Sequence, residues 1–135
     1  MTILAPVTRM ADLVPLIEKN PELDVVIDHM ADAQPAQLEK LLALARFPRV
    51  FVKISHVWTL SKLPYPYADA IDQLKRLRDG FGAGRLMWGT DWPVSLNKVS
   101  YEQAVRMYRD YLLWWMTEEE QVQVLSGTVQ KVWPF

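Results

Sequence analysis

One arrangement constrains this chain before any other: a short apolar run, a polar turn and a helical period recur four times within its 135 residues. Strand-helix units that repeat every ~25–35 residues close as parallel strands joined by right-handed crossovers, because each helix returns the chain to the start of the next strand. The class this dictates is α/β, with four parallel strands alternating with helices. The strands read as Thr2-Ile3-Leu4-Ala5, Leu23 to His29, Val50 to Ser55 and Arg85 to Asp91. Helices are predicted from Met10 to Lys19, from Pro35 through Leu38, Leu41, Leu42 and Ala45, and from Tyr67 through Ile71, Leu74, Leu77 and Arg78 to a stop at Gly80. Their apolar positions follow the i, i+3, i+4, i+7 rule. Pro15 fits a first turn if Asp12 is the N-cap. Ser100 with Gln103, and Thr117 with Glu120, have the spacing of capping boxes for two further helices, the second ending at Ser126-Gly127.

The chain is 50% hydrophobic, which suits one domain over residues 1–135 with a real core. Its 15 basic and 16 acidic residues leave a net charge of -1, so neither nucleic acid nor an anionic membrane is an expected partner. A small-molecule substrate is. Cysteine is absent, which rules out disulfides and thiolate metal sites and fits a reducing compartment. No apolar run approaches 18 residues and no basic-then-apolar leader opens the chain, so the cytoplasm is the expected location.

Parallel α/β folds bind and react at the carboxyl ends of their strands. This chain places Ala5, His29, Ser55 and Asp91 there. Asp91 ends its strand just before Trp92-Pro93 and suits either a general base or the cap of the following turn. Strand alternation puts Met87, Gly89 and Asp91 on one face, the glycine leaving room for a ligand. Phe51, Lys53 and Ser55 likewise share a face, so Lys53 meets a substrate carboxylate or a neighbouring acid. His29 either joins the chemistry or ties two strand ends together. Ser55 and His56, adjacent in a strand, point to opposite faces, and no Gly-x-Ser-x-Gly elbow exists, so a Ser-His-Asp triad is not expected. His29, His56 and Asp91 are acceptable zinc-ligand types, but spacing alone assigns no metal set. Trp58 and Trp92 are candidates to wall a pocket, whereas Trp114-Trp115-Met116 reads as packing or as an interface.

Val26-Ile27-Asp28-His29-Met30, Val52-Lys53-Ile54-Ser55, Leu86-Met87-Trp88-Gly89-Thr90-Asp91-Trp92-Pro93 and the tail Val132-Trp133-Pro134-Phe135 resemble, in order, the C-terminal motifs of the amidohydrolase-related family. That branch of the amidohydrolase superfamily contains lactone hydrolases and metal-dependent decarboxylases. The resemblance implies the C-terminal half of a (β/α)8 barrel, strands five to eight, since a whole barrel needs about 250 residues. It implies hydrolysis of a lactone or similar cyclic ester, with Asp91 as general base, His29 polarising the carbonyl, and Lys53, Ser55, His56, Trp58 and Trp92 around the substrate. The cofactor it implies is either none or a single divalent metal such as zinc, held by Asp91 and His29. Two departures count against zinc: no His-x-His occurs, and Ala5 stands where metal-binding relatives have histidine. His56 stands where relatives often have glycine. Two other readings stay open: a non-catalytic half-barrel remnant or interaction module, and a metal-dependent decarboxylase of the same family. Four strands with two open edges also lead to the expectation of a partner, a homodimer closing the barrel.

Overall fold

The computed structural model describes residues 1–134; Phe135, the last residue of the tail motif, lies outside the described residues. Four strands, β1 (Thr2–Ile3), β2 (Val25–Ile27), β3 (Val50–Lys53) and β4 (Leu86–Met87), form one sheet in sequence order. Every pair is parallel, in registers set by Ile3 opposite Ile27, Val26 opposite Phe51 and Lys53 opposite Met87. Among the described residues six α-helices intervene or follow: α1 (Val14–Lys19), α2 (Leu38–Leu42), α3 (Ile71–Phe81), α4 (Tyr101–Arg106), α5 (Glu118–Val122) and α6 (Thr128–Val132).

β2, β3 and β4 are buried on both faces, which is why they read as continuous apolar runs rather than as alternation. Val25, Ile27, Val50, Val52 and Leu86 face the helices and join Leu38, Leu41, Leu74, Leu77 and Tyr108 in the main core. Val26, Phe51 and Met87 form a second apolar layer on the opposite face, with Val132 packed against it. Arg85 fastens the loops leading into β3 and β4, donating to the carbonyls of Ala45 (2.9 Å), Phe47 (2.8 Å) and Phe81 (2.7 Å). Trp114 is exposed, while Trp115 is half-buried under Lys75 and Arg78 and Met116 is buried, so this run divides between packing and surface.

Several helix ends differ from the sequence expectation. The first helical stretch begins as a tight 3-10 turn over Val7–Leu13, and only α1 is α-helical; Leu13, not Asp12, precedes it, and Pro15 sits in its first turn. Gly80 does not stop α3. The helix runs on to Phe81, and Gly82, at φ 77°, ends it in a conformation that side chains resist. What Gly80 provides is space: a Cβ there would lie 2.7 Å from Leu42 Cδ2. The chain also passes through Ser126-Gly127 in a π-helical turn, Gln123–Gly127, and continues into α6.

Both capping boxes form. Ser100 Oγ accepts from the Gln103 N–H while Gln103 reaches back to the Ser100 N–H, and Thr117 with Glu120 repeats the exchange. Each satisfies two backbone donors that a helix leaves free at its start. Ser100→Ala is therefore expected to cost about 1 kcal/mol in urea unfolding. A loss below a few tenths of that would mean water serves the α4 terminus equally well.

Candidate active site

The side chains at the carboxyl ends of the strands lie in layers that follow the two-residue period. Above the apolar layer of Val26, Phe51 and Met87 come Asp28 and Lys53, which form an ion pair. Asp28 Oδ1 is buried and finds no other hydrogen-bond donor, so the Lys53 ammonium supplies its whole compensation. Gly89 belongs to this layer: a Cβ there would meet Lys53 Cδ at 3.1 Å. The space left by the glycine holds the lysine stem rather than a ligand, and Lys53 meets the neighbouring acid Asp28 while part of its side chain stays exposed.

Above the ion pair, three residues from three strand ends converge. His29 Nε2 lies 3.5 Å from Asp91 Oδ1, His56 Nε2 lies 3.6 Å from Asp91 Oδ2, and the two imidazole centroids are 4.7 Å apart. One ligand atom from each of His29, His56 and Asp91 lies within 4.8 Å of the others; among the described residues this is the one such cluster. The other nitrogen of each ring is also engaged. His29 Nδ1 is 2.8 Å from Ser55 Oγ, and His56 Nδ1 is 3.1 Å from Asp32 Oδ1.

Backbone conformation beyond the strand ends produces this meeting. β3 ends at Lys53 and β4 at Met87, so period-two faces do not extend to Ser55, His56 or Asp91. His56 (φ 71°) and Asp91 (φ 53°) are left-handed, as are four consecutive residues His29, Met30, Ala31 and Asp32 (φ 48–54°). A left-handed turn costs an L-residue roughly 1–2 kcal/mol per position. It persists where packing over-determines it: Met30 and Ala31 are buried, and the Ala33 N–H donates to Met30 O at 3.1 Å. All three members of the cluster thus sit in strained backbone.

Ser55 is fully buried behind His29, which removes it from direct contact with a substrate and from use as a nucleophile. Trp58 is half-buried and packs edge-on against His56, centroids 5.2 Å apart. Trp92, next to Asp91 in the chain, is exposed and meets Tyr101 edge-on at 5.5 Å. From sequence, Asp28, Asp32 and the buried Tyr108 receive no role at the site. Asp28 adjoins His29 in an extended run and is visible in principle, whereas Asp32 comes into range only through a turn that no residue type announces. Burial pushes the Tyr108 phenol far up, so it stays neutral.

Burial also lowers the His29 pKa below the usual 6.5, a shift only partly offset by Asp91 and Asp28. The folded protein then binds fewer protons at this ring than the unfolded chain does. The resulting stability is present above the unfolded value and is lost as pH falls from about 6.5 through the folded value. An NMR titration of His29 in metal-free protein is expected to give a midpoint below 6.5; a midpoint above it would mean Asp91 outweighs burial.

The family profile described as amidohydrolase matches residues 1–135. The L-fucono-1,5-lactonase of Burkholderia ambifaria is 37% identical over 90 residues, covering 62% of this chain and 31% of the lactonase. A zinc-bound amidohydrolase from Burkholderia multivorans superposes with a TM-score of 0.81 at 25% identity, covering 97% of this chain and 51% of that one. A candidate 2-pyrone-4,6-dicarboxylic acid hydrolase from Pseudomonas putida gives 0.72 at 28% identity, covering 91% and 48%. The chain spans about half the length of these solved proteins and under a third of the lactonase. Its four strand-helix units correspond to half of a TIM barrel. No helix among the described residues is long and apolar enough to cross a membrane.

Proposed function

The chain belongs to the amidohydrolase family, and from that premise we propose that it carries the water-activating half of a hydrolase acting on a lactone or similar cyclic ester. The observation that supports this best is the convergence of His29, His56 and Asp91, three polar groups from separate strand ends with their reactive atoms turned on one another. The lactonase relative and the candidate pyrone-dicarboxylate hydrolase support a cyclic ester as the substrate class.

Ester hydrolysis needs a base for water and a donor for the developing oxyanion. Asp91 takes the proton of the attacking water and passes it to the leaving oxygen. His29 polarises the carbonyl through Nε2–H, the tautomer available when the Ser55 hydroxyl donates to Nδ1. Its lowered pKa keeps the ring neutral for this task. Trp58 and Trp92 border the substrate, and Lys53 holds the floor through Asp28.

The donor types also fit one divalent metal such as zinc, which two imidazole nitrogens and a carboxylate would hold. A metal held by His29, His56 and Asp91 would lower the pKa of bound water and polarise the ester carbonyl. His29 would then carry its proton on Nδ1, and Ser55, which both donates and accepts, would serve as acceptor. The remaining wall of the pocket is assigned to a complementary half barrel, from further sequence of the same polypeptide or from a second copy of this chain. Sedimentation distinguishes the two.

The test is acid release from a panel of sugar and pyrone lactones, including L-fucono-1,5-lactone, with and without added zinc. Turnover with one class is expected. A folded protein that hydrolyses none of them would instead favour an interaction module with an idle site.

A further inference from the structure

His29 and His56 differ in what stands behind them, and the difference has a chemical consequence. Behind His29 is a hydroxyl, which donates or accepts and leaves the ring free to carry its proton on either nitrogen. Behind His56 is the Asp32 carboxylate, which in its ionised form only accepts. The other hydroxyl in reach, Thr59 Oγ1, is 3.4 Å from Asp32 but 2.8 Å from the His56 carbonyl, so its single proton is better spent there. Asp32 Oδ1 is thus left to the imidazole. The left-handed turn makes this contact: residues 29 and 32, one turn apart, both come against the His56 ring, one through its imidazole at 4.7 Å and the other through its carboxylate at 3.1 Å. Trp58 packs edge-on to the same ring and limits its rotation.

We propose that Asp32 is a positioning residue that holds the proton of His56 on Nδ1, so that Nε2 presents an unprotonated acceptor to the space in front of Asp91. Two acceptors, His56 Nε2 and Asp91 Oδ2, then face each other at 3.6 Å, too far for a direct hydrogen bond and mutually repulsive unless something positive stands near both. The proton of a polarised water satisfies that requirement, and so does a divalent cation. The strain stored over residues 29–32 is what this arrangement costs the backbone. A carboxylate behind a ligating imidazole fixes both tautomer and orientation, and its loss typically weakens metal affinity 10- to 100-fold.

This inference rests on reading His29, His56 and Asp91 as one site, and its test is independent of turnover. Imidazole 15N spectra of the metal-free protein, recorded above the ordinary imidazole pKa of ~6.5, are expected to show His56 protonated on Nδ1. Because Asp32 lies at φ 48°, Asp32→Gly removes the carboxylate while suiting the backbone, and Asp32→Asn keeps an acceptor without the charge. The glycine variant is expected to move the proton to Nε2 and to weaken zinc binding, measured against a chromophoric chelator, by about 10- to 100-fold; the asparagine variant is expected to fall between. His56 protonated on Nε2 in the wild type would overturn the proposal. So would an Asp32→Gly variant with an unchanged tautomer. Wild-type protein that binds no zinc but shows the Nδ1 proton would refute the metal reading above and support this one, as would the Nδ1 proton in a protein that hydrolyses no lactone.

Discussion

Asp91→Asn is expected to lower lactone turnover by about 10²- to 10⁴-fold while leaving the fold unchanged. The side chain keeps its volume, but an amide cannot accept the proton of the attacking water. It also places an NH2 opposite either His29 Nε2 or His56 Nε2, where both now face a carboxylate oxygen. Zinc binding is expected to fall with it, since one of three donors loses its charge. The far-UV spectrum and urea midpoint should stay near those of the wild type, because Asp91 lies beyond the end of β4 and its carboxylate faces His29 and His56. Turnover within threefold of the wild type would remove Asp91 from the base role and leave His56 Nε2 as the proton acceptor.

The second large effect is expected in stability. Lys53→Met should cost up to about 3 kcal/mol, because removing one partner of a partly buried pair leaves the buried Asp28 Oδ1 without its donor. Asp28 has 14% of its side chain exposed and Oδ1 has no other donor, whereas Lys53, at 27%, contributes the compensating charge across the face of Gly89. For a domain of this size that is a fall in Tm of roughly 10 °C. The double variant Lys53→Met with Asp28→Asn should recover much of the loss, since no unpaired charge then remains. A single-variant cost below about 1 kcal/mol would mean that water reaches Asp28 in solution. The test also separates the two roles open to Lys53: a lysine that mainly binds substrate would shift KM and leave Tm unchanged.

Much of the architecture is written locally. Val25 to Ile27, Val50 to Lys53 and Leu86 to Met87 are apolar runs bounded by turn residues, and the helical periods between them dictate parallel pairing. The capping boxes at Ser100 and Thr117 involve residues three apart, so backbone geometry brings them together wherever a helix starts there. Helix ends are less local. Gly80 resembles a stop, yet α3 continues past it because Leu42, 38 positions earlier in the chain, packs where a Cβ would stand. Gly127 likewise sits within a helical run that packs on β4, where Val124 O accepts from the Trp88 N–H at 2.9 Å.

The candidate site divides in the same way. Residues at strand ends are legible because strand direction and the crossover rule fix which end of the sheet they occupy, and on that ground His29, Ser55 and Asp91 were expected there. The alternation rule then predicted that Ser55 and His56 diverge and that Gly89 opens a ligand space. The second fails because the Lys53 stem fills the space beside Gly89; Ser55 is buried behind His29, while His56 reaches Asp91 because β3 ends at Lys53 and the backbone turns left-handed at His56. Nothing in residue type announces four successive left-handed residues at His29, Met30, Ala31 and Asp32, none of them glycine. Burial of Met30 and Ala31 holds that turn. The sequence by itself determined the α/β class and parallel pairing, and it placed His29 and Asp91 at one end of the sheet, since these follow from periodicity and chain direction. Only the tertiary structure decided that His56 joins them, that Asp32 stands behind it and that Lys53 answers Asp28, because each depends on contacts between distant segments whose packing outweighs local preference.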